Sequence, residues 1–320
     1  MTTTVCLFVL GLMALIKGGD WFVDSATGIA HRMGIPELLI GATVVSIGTT
    51  LPEVMVSVNS AVSGHGEIAY GNAIGSIICN TALIAALTIA IRPSDVDRKS
   101  LKVPVLFFFG AAAVYCGSAY LKQGFSRFMG IVFLAIFAAY IVLSTMEAKT
   151  ALDEAPEETE EEESALWKNM AMLVLSAALI AVGADLLVDN GTLIARALGV
   201  SESVIALTMI ALGTSLPELV TAITSLIKGH SALSLGNIIG ANLFNLVLVS
   251  GAAVTLSPFG IPENRIINGY NASLIIDIPV MLGVMAIMAV PALISGKLRR
   301  SQGVTLLAIY IGFCIYQFAA

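Results

Sequence analysis

The sequence predicts an all-α integral membrane protein of ten transmembrane helices, arranged as two inverted-topology repeats of five. Three observations predict it. Of 320 residues, 57% are hydrophobic and only 12% are charged. That is half the charge of a typical soluble domain, too little to build a water-facing surface. Ten apolar runs each approach the roughly 20 residues that a helix needs to cross a bilayer. The chain also resembles itself at an offset of 165 residues, with five runs on either side. This composition excludes a soluble protein, a disordered chain and a nucleic-acid binder.

The runs lie near residues 4–29, 36–61, 68–91, 101–120, 125–146, 167–195, 202–227, 233–256, 270–292 and 303–319. The first has no basic segment before it and continues past Lys17 and Asp20, so it reads as a retained span, not a cleaved signal. The second carries Gly48-Thr49-Thr50-Leu51-Pro52-Glu53, and the third Gly71-Asn72-Ala73-Ile74-Gly75-Ser76-Ile77-Ile78-Cys79-Asn80. Two more runs complete the first half. Residues 153–163 then read DEAPEETEEEE, and without them the net charge of −6 becomes +2. A block of like charge is expected to be a solvated, extended tether. The chain therefore divides into a first repeat (1–147), an acidic linker (148–166) and a second repeat (167–320). The seventh run carries Gly213-Thr214-Ser215-Leu216-Pro217-Glu218. The eighth carries Gly236-Asn237-Ile238-Ile239-Gly240-Ala241-Asn242-Leu243-Phe244-Asn245.

Basic residues orient the spans. Alternate loops share a side, and one side collects eleven Lys and Arg from Arg32 to Arg300. The other collects Lys122, Arg127, Arg196 and Arg265. The richer side is expected to be cytoplasmic. This places the chain in the cell membrane as a multi-pass protein, with both termini outside and the acidic linker cytoplasmic. Cys6, Cys79, Cys116 and Cys314 all fall in apolar spans, where Cys packs as a small hydrophobe. His65 and His230 stand beside Gly in loops and read as turn residues.

Over 41–80 against 206–245, fourteen of forty positions are identical. Each half has an odd number of spans, so the second copy enters the membrane upside down. That is the plan of many secondary transporters, with the substrate site at mid-membrane where Pro-interrupted helices meet. Pro52 and Pro217 each remove a backbone donor, stranding the carbonyls of Gly48 and Gly213. Glu53 and Glu218 lie near the middle of their spans, where an ionisable group is costly and marks function. Two carboxylates with hydroxyl and carbonyl oxygens suit Ca²⁺. Asn72, Ser76 and Asn80 form one helical stripe, matched by Asn237, Ala241 and Asn245. The paired Gly-x-x-x-Gly spacings permit close helix approach. Asp20 and Asp185 also match, each followed a turn later by Asp24 and Asp189; they read as anchors at helix ends or as carboxylates at the mouth of an ion pathway.

These motifs resemble the cation/Ca²⁺ antiporter superfamily in its Na⁺/Ca²⁺ exchanger branch. The resemblance rests on GTTLPE with GNAIGSIICN and on GTSLPE with GNIIGANLFN, and it extends over all ten spans. It implies Na⁺-for-Ca²⁺ antiport by alternating access, with spans one and six sliding over the core. It implies that Glu53 and Glu218 bind Ca²⁺ together with the backbone carbonyls of Thr49 and Thr214. Thr50, Ser215, Ser76, Asn80 and Asn245 then line flanking Na⁺ sites. Ala241 stands where many relatives carry Ser, and Ser46 is the expected replacement oxygen. Neutral Asn245 argues against K⁺ co-transport. The alternative on the same fold is an H⁺/Ca²⁺, or other cation/Ca²⁺, antiporter. No enzymatic activity, cofactor, nucleic acid or obligate protein partner is expected. The transported ions are Ca²⁺ and Na⁺, in a lipid bilayer.

Overall fold

A computed structural model describes residues 2–153, 160–199, 213–263, 266–267 and 269–319. The protein is helical, and the helices are α1 (Thr2–Arg32), α2 (Glu37–Val62), α3 (Gly66–Ile91), α4 (Arg98–Lys122), α5 (Arg127–Asp153), α6 (Glu160–Ala197), α7 (Leu216–Lys228), α8 (Ser231–Leu256), α9 (Ser273–Ser295) and α10 (Arg300–Ala319). Eight helices among the described residues are long and apolar enough to cross a membrane. Residues 154–159 of the acidic linker, residues 202–212 of the seventh run and Arg265 lie outside the described residues.

The linker's flanks differ from the expected extended tether. α5 runs on to Asp153, and α6 begins at Glu160. Glu is a good helix former, and carboxylates in a first turn complement the positive end of the helix dipole.

α1 and α6 pack along most of their length and run antiparallel. A methyl added at Gly11 would fall 2.9 Å from the Gly183 carbonyl oxygen. One at Gly18 would meet Ile180, and one at Gly28 would meet Asn169. Glycine therefore lets the two backbones touch. α2 and α8 run parallel in equally close contact, because Gly41 lies on Leu233 and Asn237 while Gly240 lies on Ala42. α2 and α3 are joined by a tight turn, so α3 runs against α8.

The two ends of the bundle carry matching clasps. Two-residue strands β1 (Ser94–Asp95) and β6 (Lys297–Leu298) pair antiparallel, as do β2 (Gly124–Phe125) and β3 (Phe259–Gly260). Val96 N–H donates to Gly296 O, and Ile261 N–H donates to Gln123 O. Arg300 donates to Ile91 O and Arg127 to Thr255 O, filling the stranded carbonyls of two helix ends. Gly303 lies on Ala86 and Ala90, and Gly130 on Gly251 and Thr255. From these pairs α4 and α5 correspond to α9 and α10 at an offset of 173, not 165. The offset of 165 therefore holds through Ile261 and fails beyond it. The extra residues lie in the segment with the hairpin β4 (Ile266–Ile267) and β5 (Tyr270–Asn271). A surface connection absorbs such an insertion without disturbing the packed helices.

The core is apolar and aromatic where α4, α5 and α8 meet. Tyr115 and Phe125 pack with their rings tilted by 42° and centroids 4.5 Å apart, and Phe137 meets Phe244 edge-on at 5.1 Å. The four cysteines are free. Cys79 is buried as expected, whereas Cys6 is exposed on the outer face of α1. That face also presents Val9, Met13 and Ile16, which suits contact with lipid.

Candidate functional site

α2, α3, α7 and α8 converge where the two Pro-containing motifs meet. The motif copies are built differently. α2 continues as a helix through Pro52, whereas the second copy breaks at Thr214 and Ser215, so Pro217 enters the first turn of α7. Proline is tolerated there because the first-turn N–H has no helical partner in any case.

Reciprocal hydrogen bonds lock the copies together. Thr49 Oγ1 donates to Asn237 Oδ1 at 3.1 Å, and Thr214 Oγ1 donates to Asn72 Oδ1 at 3.2 Å. These pairs exchange under the offset of 165. Asn72 Nδ2 donates to Ser57 Oγ and to the Glu53 carbonyl. Asn237 Nδ2 donates to Thr221 Oγ1, which in turn donates to Pro217 O. The amides thus hold each Glu-bearing helix against a neighbouring helix, and their oxygens are already occupied.

The ionisable and hydroxyl groups between them are not satisfied. Glu53 and Glu218 are completely buried. Both oxygens of each carboxylate lack a hydrogen-bond partner among the described residues, as do Thr50 Oγ1, Ser215 Oγ, Asn80 Oδ1 and Asn245 Oδ1. Each carboxylate lies near enough for Glu218 to act electrostatically on Glu53. Buried charge without a partner costs several kcal/mol per group. Eight unpaired oxygens on six residues of two matched motifs therefore mark a place that a cation would stabilise. No group of three or more His, Cys, Asp or Glu side chains forms among the described residues. The donors are hard oxygens, a set for alkali and alkaline-earth ions and not for zinc.

Asn80 and Asn245 each open a π-helical turn, Asn80–Ala85 and Asn245–Val249. A π turn skips one residue of the regular ladder, loosens local carbonyls and recurs at functional sites. Asn245 Nδ2 donates to Ala241 O, which leaves its Oδ1 free. Ser250 Oγ donates to Asn245 O, bridging the widened turn. Ser76 is buried one turn before Asn80. Ser46 is also buried, at the end of a π turn over Gly41–Val45. Its hydroxyl proton is shared between Gly41 O and Asn237 O, so only its lone pairs remain for a cation. Ala241 is buried and contributes no side-chain oxygen.

Sequence reasoning placed Asn72 and Asn237 on the polar stripe but did not foresee their locking role. The signal was available, since they sit two helical turns before Asn80 and Asn245 on the same face. The π turns, the Thr81–Asn242–Met285 cluster and the partner of Asp20 and Asp24 left no legible trace. Asn242 Nδ2 donates to Thr81 Oγ1 at 2.7 Å. Lys228 Nζ bridges Asp20 and Asp24 at 2.5 and 2.7 Å, tying α1 to the end of α7. His230 precedes α8 as a turn residue and also pairs with Glu37 at 2.8 Å.

α1 and α6 lie over both motifs. Phe22 and Ala177 stand within 3.7 Å of a methyl built on Gly48, and Val188 stands within 3.0 Å of one on Gly213. A helical membrane protein with unpaired acidic oxygens buried between duplicated motifs is an ion carrier by class. The model of the sodium/calcium exchanger protein family matches residues 3–146 and 168–319, and the chain belongs to that family, within the cation/Ca²⁺ antiporters. The chain is 35% identical over 319 residues to CaxA of Alkalimonas amylolytica, named as an antiporter, covering 96% of each. It is 29% identical over 357 residues to the sodium/calcium exchanger MaX1 of Methanosarcina acetivorans, covering 99% of each. A structure of the sodium-calcium exchanger NCX_Mj soaked with Na⁺ and Sr²⁺ superposes with a TM-score of 0.81 at 31% identity, covering 97% of each chain.

Proposed function

We propose that this antiporter exchanges Na⁺ for Ca²⁺ by alternating access, at a centre formed by Glu53 and Glu218. The observation that carries this reading is the set of buried, unpaired oxygens on those two residues and on Thr50, Ser215, Asn80 and Asn245. The two carboxylates balance one Ca²⁺, and they balance several Na⁺ when neutral oxygens assist. The backbone carbonyls of Thr49 and Thr214 complete the Ca²⁺ shell, and Ser76 and Ser46 stand on the flanks. Competition for one shared charge pair couples the two fluxes. A ligand shifts the inward-open and outward-open states only by its differential affinity. An ion set that cancels the pair lets the protein cross between states, and the bare pair resists crossing because its desolvation is uncompensated.

The reading has ten spans in two inverted repeats of five. The antiparallel packing of α1 on α6 and the exchanged Thr–Asn pairs support it. α1 and α6 slide over the core, and the side rich in Lys and Arg faces the cytoplasm. The test is ⁴⁵Ca²⁺ uptake into proteoliposomes under a Na⁺ gradient alone and under a pH gradient alone. Uptake is expected only with the Na⁺ gradient. Glu53→Gln and Glu218→Gln are each expected to abolish it. Uptake driven by the pH gradient would transfer the protein to H⁺/Ca²⁺ exchange, and uptake unchanged in either variant would remove the site assignment.

A further inference from the structure

The two repeats differ at one pair of matching contacts, where α1 meets α7 and α6 meets α2. Lys228, in the last turn of α7, reaches Asp20 and Asp24 of α1 at 2.5 and 2.7 Å. Its ammonium also donates to the Asp20 carbonyl at 3.1 Å. The backbones touch beside this triad, since a methyl built on Gly19 would fall 2.5 Å from Val220 Cγ1 and 3.0 Å from Thr224 Oγ1. Arg92 at the end of α3 donates to Leu226 O, so the end of α7 is itself tied to the core. α1 is therefore held on α7 both by charge and by close backbone contact.

The internal duplication supplies the comparison. Under the offset of 165, Asp20 and Asp24 match Asp185 and Asp189 of α6, but Lys228 matches Ser63. Gly19 matches Ala184, Val220 matches Met55 and Arg92 matches Ser257. Both acids are repeated, whereas the base that holds them and the glycine that admits the close approach are not. Where α1 lies on α7, the matching faces of α6 and α2 enclose a crevice of about 700 Å³. Met55 and Val56 line it from α2, Ala181 and Asp185 line it from α6, and no basic residue does. Ser63 is exposed at the end of α2.

In an inverted repeat, exchanging the conformations of the two halves converts one access state into the other. In that exchange α1 leaves α7 and α6 closes on α2. The first contact carries an ion triad and the second carries none. We propose that Lys228 is a one-sided ionic latch, which holds its own end of the transporter closed and makes this access state the resting one. The latch rests on the alternating-access reading above and gives that reading its bias. An interaction made in one state only shifts the balance by its own differential strength. Partly exposed ion pairs are weak, so the latch favours its state by up to about fivefold and leaves the protein able to turn over.

The test is hydrogen–deuterium exchange of the full chain in lipid nanodiscs, without ion gradients, read by mass spectrometry. Two segments report the two ends: residues 24–32 of α1 and residues 55–62 of α2. Lys228→Met is expected to speed exchange at 24–32 and, reciprocally, to slow it at 55–62. Lys228→Arg keeps the charge and is expected to behave as wild type. Ser63→Lys places a base at the position that matches Lys228, within the half that carries Asp185 and Asp189. It is expected to produce the same reciprocal change with Lys228 untouched, and the exposure of Ser63 keeps the variant free of packing defects. Combined with Lys228→Met it is expected to enlarge the change. Faster exchange at 24–32 without slowing at 55–62 would reduce Lys228 to a local fastening and overturn the proposal. So would a Ser63→Lys protein that matches wild type at both ends. Neither readout depends on whether Na⁺ or H⁺ drives Ca²⁺ uptake, so loss of the latch and loss of the exchange reading are told apart.

Discussion

Replacing Gly240 by Ala tests how far the ion centre depends on backbone contact between α2 and α8. The added methyl would lie 2.6 Å from the Ala42 carbonyl oxygen and 2.7 Å from Ala42 Cα, and it would also strike the Ser46 hydroxyl. Non-bonded carbon contacts relax near 3.5–4.0 Å, so the helices must part by about 1 Å. Overpacking of this kind costs about 1–3 kcal/mol. At roughly 2–4 °C per kcal/mol, the melting temperature should fall by about 2–12 °C. The same separation stretches the Ser46–Asn237 and Thr49–Asn237 hydrogen bonds, now 3.0 and 3.1 Å. Ligands misplaced by about 1 Å cost one to two orders of magnitude, so Ca²⁺ affinity should fall at least about tenfold. Thermal melts with and without Ca²⁺, together with ⁴⁵Ca²⁺ uptake, measure both effects. Gly312→Ala is the control, because that position is exposed and its methyl meets nothing within 4 Å among the described residues. Adding Ser46→Ala to Gly240→Ala should restore only part of the loss, because Ala42 presents backbone. A Gly240→Ala protein with an unchanged melting temperature and an unchanged Ca²⁺ response would refute this reasoning.

Other expectations follow from the same contacts. Ala241→Ser should raise apparent Na⁺ affinity in uptake assays, and an unchanged Na⁺ dependence would mean that this position does not face a Na⁺. Lys228→Met frees Asp20 and Asp24 from α7. Because the pair is partly exposed, stability should change by less than about 1 kcal/mol, while the transport rate changes; unaltered rate and melting temperature would separate the clasp from helix movement. Asp97 caps α4 by accepting from Ser100 Oγ at 2.6 Å and from the Lys99 and Ser100 amides. The Ser100 hydroxyl foremost, with those amides, holds its carboxyl below the usual range. The cap's contribution is therefore present above the unfolded pKa and is lost as pH falls through the folded one. Asp97→Ala should cost about 1 kcal/mol at neutral pH, with the difference in melting temperature from wild type closing in acid; a pH-independent difference would contradict the sign.

The sequence by itself determined that lipid is the solvent, because a chain with so little charge cannot cover itself against water. It also determined where the costly groups lie, since Glu53 and Glu218 stand in matched Pro-containing motifs whose spacing is written in the chain. Helix periodicity placed Asn72 and Asn237 on the same stripe as Asn80 and Asn245. Tertiary structure decided which of these amides hold helices together and which keep a free oxygen, because that depends on the helix opposite. It decided that Pro52 is carried inside a helix while Pro217 starts one, although the two motifs read almost alike. It revealed the step in offset from 165 to 173, which is silent in sequence because α4, α5, α9 and α10 are constrained by apolar packing, and many side chains satisfy that packing equally well. The pairing of Lys228 with Asp20 and Asp24 likewise needed the fold. Residues some two hundred positions apart meet only because α1 lies across α7, and no local pattern records a crossing.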